Sequence, residues 1–109
     1  MWLEQEAKRR RIKIKHARNG GEYKLPGTNI RVDGYNARSK TVFEFHGDSY
    51  HGNPKVYYPN SRPNPFSNSR ASVLYKRTKA REQRIRELGY NLVVMWEHDY
   101  KALLKQRYA

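Results

Sequence analysis

A chain of 109 residues predicts a single domain spanning 1–109, with no second full core. Its 23 Lys and Arg against 10 Asp and Glu give a formal charge of +13, which favours polyanionic partners and argues against cationic ones. The absence of cysteine excludes disulfides and thiolate metal sites; with neither a signal-peptide core nor an apolar run of about 18 residues, a soluble intracellular protein without membrane association is expected.

Residues 2–10 read as a short helix that runs into the basic string Lys8, Arg9, Arg10 and Arg11. Ile12, Lys13, Ile14 and Lys15 then alternate as a short edge strand. The basic string is either a solvated face or a phosphate-contacting surface. Asn19, Gly20 and Gly21 form a turn, and residues 22–25 a strand ending at Pro26 and Gly27. Residues 30–35 and 41–45 are two further strands joined by a polar stretch, which makes a β-meander.

Residues 53–69 hold four of the five prolines with several Asn and Ser, so an irregular excursion is expected. Excursions of that length are often functional or mobile, and this one is either plainly disordered or a candidate DNA-contacting lid in which Tyr57, Tyr58 and Arg62 stack on bases or meet phosphates. Residues 71–88 form a helix with a stripe of Leu74, Thr78, Arg81, Ile85 and Leu88, stopped by Gly89. Thr78 and Arg81 interrupt the apolar stripe and should face something polar. Residues 90–97 are a strand apolar on both faces over 92–96, expected at the centre of the sheet. Asp99 then caps a final helix, 100–108, with Leu103 and Leu104 packed inward. The predicted fold class is α/β, a layered core with a mixed β-sheet, meander plus central strand, flanked by helices.

The chemistry concentrates in VDGYNARSKTVFEFHGDSYHG, residues 32–52. Alternation along a strand points Glu44 and His46 one way, and Phe43 and Phe45 into the opposite, apolar layer. If residues 36 and 41 pair, Asp33 stands opposite Glu44 and residues 37–40 form the loop. Facing carboxylates repel unless a cation lies between them, and hard oxygen ligands suit Mg²⁺ or Mn²⁺. The alternative is a surface hairpin whose acids are balanced by nearby Lys and Arg. An imidazole titrates near neutrality, so His46 is a candidate base, and His51 is a candidate acid or hydrogen-bond donor to phosphate.

An Asp on one strand followed by Glu44, Phe45 and His46 on the next resembles the PD-(D/E)XK nuclease core, with His in the Lys position. FHGDSYHG followed by LYKRTKAREQRIRELGYNLVVMWE resembles the very-short-patch-repair endonucleases and their homing-endonuclease relatives, over residues 33–97. The resemblance implies a restriction-endonuclease-like three-layer core and a metal-dependent DNA endonuclease leaving a 5′-phosphate. It implies Asp33 as metal ligand, the Phe45 carbonyl as a second ligand, and Glu44 as the acid that the wider superfamily has and the repair enzymes lack. His46 and His51 match the histidines of water activation and phosphate stabilisation, and Tyr50 an aromatic that wedges into the DNA stack.

The departures are specific. Where the repair enzymes bind a structural zinc largely through cysteines, this chain has Asp48 and His98 at two ligand positions, with Asn53 and Lys55 near the others, so no structural zinc is expected. Asp48 and His98 are instead expected to hydrogen bond directly to each other. Glu4, Glu6 and Glu22 are candidates for the family's first-helix glutamate. Glu97 is a further acid whose simpler role is a salt bridge. Lys76, Lys79 and Arg81 are the expected phosphate contacts on the long helix, with Arg9, Arg10 and Arg11 as a second basic patch. Two other functions fit the residues: a nucleic-acid-binding protein without catalysis, and a structure-selective resolvase of branched DNA. The latter would act as a two-fold dimer, so monomer and homodimer both stay open.

Overall fold

The computed structural model of the chain describes residues 2–16, 23–65 and 67–108. In chain order the elements are α1 (Trp2–Arg10), β1 (Lys15–His16), β2 (Tyr23–Lys24), β3 (Arg31–Val32), β4 (Gly34–Asn36), β5 (Thr41–His46), α2 (Asp48–His51), α3 (Ala71–Glu87), β6 (Asn91–Trp96) and α4 (Glu97–Tyr108). This is an α/β fold with a mixed sheet and flanking helices. No helix among the described residues is long and apolar enough to cross a membrane.

Four strands form one sheet in the order β1-β4-β5-β6, and β2 pairs with β3 in a separate antiparallel ribbon. The β4–β5 hairpin has the register expected from the sequence, Asn36 with Thr41, Tyr35 with Val42 and Gly34 with Phe43. Its turn is held by Asn36, whose Oδ1 accepts from the Ser39 amide at 2.9 Å and the Ser39 hydroxyl at 2.6 Å. The same side chain donates to the Lys13 carbonyl at 2.7 Å, fixing the approach to β1.

Three sequence expectations need correction. β6 lies at an edge of the sheet, and β4 and β5 occupy the middle. An apolar run reports cover on a strand's two faces and carries no information about its edges, so the central placement did not follow from it. The last helix begins at Glu97, directly from β6, so Asp99 sits inside its first turn and does not cap it. Leu103, expected to pack inward, is 51% exposed, while Leu104 is half-buried.

Two compact units share the chain. The first comprises Met1–Glu44 and Ile85–Val93, the second Phe45–Arg84 and Val94–Ala109. The first is built on apolar burial: Leu25, Val32, Tyr35, Val42 and Ile85 form a cluster flanked by Tyr23, Ile30, Tyr90 and Leu92. Tyr23 stacks on Tyr35 at 4.1 Å between centroids, and Tyr90 meets Tyr35 edge-on at 5.8 Å. α1 adds Trp2, edge-on to the fully buried Phe43 at 6.2 Å. Each such side chain contributes about 1.5 to 3 kcal/mol on full burial.

The second unit is built differently. α3 turns Ala71, Leu74, Thr78 and Glu82 inward at helical spacing, so half of that buried stripe is polar. Phe45 packs edge-on against Tyr100 at 5.8 Å. Residues 53–65 hold no regular element, as expected from their prolines.

Candidate functional site

The first unit carries the two carboxylates. Continuing the β4–β5 register one step beyond Gly34 and Phe43 sets Asp33 against Glu44. Asp33 is a bend between β3 and β4 and is exposed, whereas Glu44 is buried in the middle of β5. Among the described residues, no three His, Asp or Glu side chains form a group able to hold a metal ion.

The other acid candidates fall into distinct surroundings. Glu6 is buried and gripped by α1's own arginines, with Arg9 Nε at 2.8 Å and Arg10 at 3.5 Å. The Arg9 hydrogen bond holds the Glu6 carboxyl below its usual range. Arg10 also lies over the Phe43 ring, 5.5 Å from its centroid. Two members of the basic patch therefore have partners within the fold, while Arg11 is exposed. Glu4 is exposed as well, and Glu22 lies outside the described residues.

The second unit gathers both histidines. His46 is 1% exposed, and its Nε2 lies 3.0 Å from Glu82 Oε2. The other Glu82 oxygen accepts from Lys79 Nζ at 2.9 Å. With the carboxylate as acceptor on both sides, His46 donates from Nε2. His51 follows on α2, its ring centroid 4.3 Å from that of His46, and Trp96 closes the cluster edge-on to both rings at 4.9 and 6.2 Å.

Thr78 fixes the tautomer of His51. The Thr78 hydroxyl gives its proton to the Leu74 carbonyl at 3.0 Å, so at 2.9 Å from His51 Nδ1 it can only accept. Nδ1 therefore carries the proton, and Nε2 keeps its lone pair. Burial first, then the neighbouring His46 and Arg81 charges, push the His51 pKa from the ordinary 6.5 down to about 4, with Glu82 opposing. At neutral pH His51 is an uncharged acceptor, the opposite of the acid or charged donor expected from the sequence.

The turn after β5 is held from the start of α4. Asp48 is buried and accepts from Asn53 Nδ2 at 2.8 Å and from the His98 main-chain amide at 3.3 Å. The Asp48 to His98 tie thus exists, but through the backbone, and the exposed imidazole has no part in it. Glu97 completes the clasp by accepting from the Asp48 amide at 3.0 Å, the main reason its carboxyl titrates below its usual range. It also pairs with Lys101 at 3.3 Å.

Of the expected DNA contacts, Tyr50 is 60% exposed and Lys76 is exposed, Lys79 is committed to Glu82, and Arg81 is half-buried beside His51. Among the large hydrophobic side chains of the described residues, Tyr58 in the irregular segment is the most exposed, at 86%. Sequence reasoning missed Glu82 and Trp96. Glu82 lies four residues after Thr78 on the same helix face, a signal that was available once Thr78 was read as inward. Comparisons with protein families, with curated proteins and with solved structures gave no match.

Proposed function

We propose that the protein is a metal-dependent DNA endonuclease of the PD-(D/E)XK type, with the restriction-endonuclease-like core that the resemblance implies. The observation that carries this reading is the β4–β5 register, whose Gly34–Phe43 pair leaves Asp33 and Glu44 next in line on the two chains, with Phe45 and His46 following on β5. A basic chain that sets one acid against another on a hairpin has the composition of a site for phosphodiesters and a divalent cation.

The donor set of two carboxylates and a main-chain carbonyl is oxygen only, which fits a hard cation. Asp33, Glu44 and the Phe45 carbonyl would hold Mg²⁺, with Mn²⁺ able to replace it. When bound, the ion supplies polarisation of a phosphoryl oxygen and compensation for the charge that develops during attack.

The chain's own groups divide the remaining work. His51, with its Nε2 lone pair available, accepts a hydrogen bond from the attacking water and orients it. His46, sealed from solvent and bonded to Glu82, positions the neighbouring ring and does not meet substrate. This moves the water role expected of His46 to His51. Tyr50 and Tyr58 offer rings to bases, and Lys76 offers charge to phosphates.

The test is cleavage of supercoiled and linear DNA by wild type and Glu44→Ala at equal protein, with Mg²⁺, Mn²⁺ or a chelator. Metal-dependent cutting that the variant loses while still binding DNA supports the reading. Binding without cutting on every DNA form, branched junctions included, replaces it with a nucleic-acid-binding protein.

A further inference from the structure

A groove of about 730 Å³ runs beside α1 and the extended segment that leads into β1. Its lining includes Lys8 from the helix, and Ile12, Lys13, Ile14 and Lys15 from the segment. We infer that this groove binds the sugar–phosphate backbone of a nucleic acid strand, with Lys8, Lys13 and Lys15 as the phosphate contacts. The inference rests on the reading of DNA as the partner and names where on the first unit that partner is held.

Within the basic string, Arg9 and Arg10 are drawn to Glu6, and Arg10 is also laid over Phe43. Lys8 and Lys13 are exposed and take part in no ion pair among the described residues. Lys15 is exposed too, its Nζ 5.9 Å from the centroid of the Tyr23 ring. Alternation along residues 12–15 sends Lys13 and Lys15 to the solvent side while Ile14 is 2% exposed. Arg9 and Arg10 thus share the single Glu6 carboxylate, while Lys8, Lys13 and Lys15 stay exposed.

The shape and chemistry of the groove select the ligand class. Three lysines face one carboxylate, Glu4, so the groove attracts anions. Its apolar share comes from the half-buried Ala7 and Ile12, which suits the sugars between successive phosphates. β1 ends the strand order, and among the described residues no further strand of the sheet covers its outer side.

The full chain is titrated with a labelled DNA duplex by fluorescence anisotropy at several salt concentrations between 50 and 200 mM, with a chelator present to prevent cutting. Wild type is compared with K8A/K13A/K15A, R9A/R10A and the charge-preserving K8R/K13R/K15R. Losing three duplex phosphate contacts should reduce the slope of log affinity against log salt by about 2.7 in K8A/K13A/K15A. R9A/R10A and the arginine replacement should stay within about 1 of wild type, with all variants sharing its circular dichroism spectrum. A wild-type slope in K8A/K13A/K15A, alongside a reduced slope in R9A/R10A, overturns the groove and leaves the nuclease reading standing. Salt-independent or absent binding by wild type overturns both. Displacement of bound DNA by polyglutamate at far lower concentration than by unlabelled DNA overturns the assignment to nucleic acid in favour of an acidic protein.

Discussion

Among the described residues, the first unit buries Glu6, His16, Asn36, Thr41 and Glu44 beside nine apolar side chains, whereas the second buries six polar side chains beside two apolar ones. In the first, Leu25, Val32, Val42, Phe43 and Ile85 are essentially sealed from water and need no partner beyond close packing. In the second, Ala71 and Leu74 are the fully buried apolar side chains among the described residues, while His46, Asp48, Asn53, Asn64, Thr78 and Glu82 are the buried polar ones. No buried side-chain nitrogen or oxygen among the described residues lacks a hydrogen-bond partner, so the polar interior is a complete network. An apolar core tolerates a change of pH; a polar network holds its shape only while each group keeps its protonation state. The second arrangement stabilises less per residue, and it holds imidazoles at fixed tautomers.

The largest expected effect breaks the apolar side. Phe43→Ala should cost about 3 to 5 kcal/mol in chemical denaturation, by the same amount at pH 5 and at pH 8. The polar side should answer to pH instead. Because the folded pKa of His51 lies below the unfolded value, stability is full above 6.5, falls as the unfolded chain takes its proton first, and levels off below about 4. That difference, from 6.5 to about 4, amounts to at most roughly 3 kcal/mol. Urea unfolding of wild type and His51→Gln across this range checks it, since the glutamine variant should lack that slope; parallel curves would remove His51 from the account.

Thr78→Val keeps the shape but leaves the His51 Nδ1–H without its acceptor, for an expected loss of about 2 kcal/mol. Nitrogen NMR of the imidazole should then show two tautomers where wild type has one. Asn53→Ala removes one donor from Asp48 and should cost about 1 kcal/mol, read as a small shift in midpoint. A cost equal to that of Phe43→Ala would make Asn53 a keystone of the second unit and weaken the contrast drawn above.

How much of this was legible in the sequence follows the same division. The hairpin register, α1, the long helix and the irregular proline-rich segment could be read, because periodicity and turn chemistry act between neighbours in the chain. The candidate pairing of Asp33 with Glu44 came from that register. The partners of the histidines could not be read, because Glu82 lies 36 residues from His46 and Thr78 lies 27 from His51. The spacing from Thr78 turns Glu82 inward, but nothing local in the helix says that it meets an imidazole there. The fate of Arg9 and Arg10 was closer to hand: Glu6 stands three and four residues earlier, the spacing at which helix side chains meet.

Gly52 carries one more consequence. Its backbone is left-handed, with φ of 65°, and a Cβ there would overlap the Ala71 carbonyl oxygen, so the start of the irregular segment touches the start of α3. Within the segment, Ser61 accepts from the Ala71 amide at 2.8 Å and Pro59 from that of Ser72 at 3.1 Å, both through main-chain carbonyls. An excursion that leaves and returns at one point has a span independent of its length. Doubling it would cost only about 0.6 kcal/mol in closure entropy. Past Asn53, which is bound to Asp48, the excursion can thus lengthen without moving the point at which it leaves and returns.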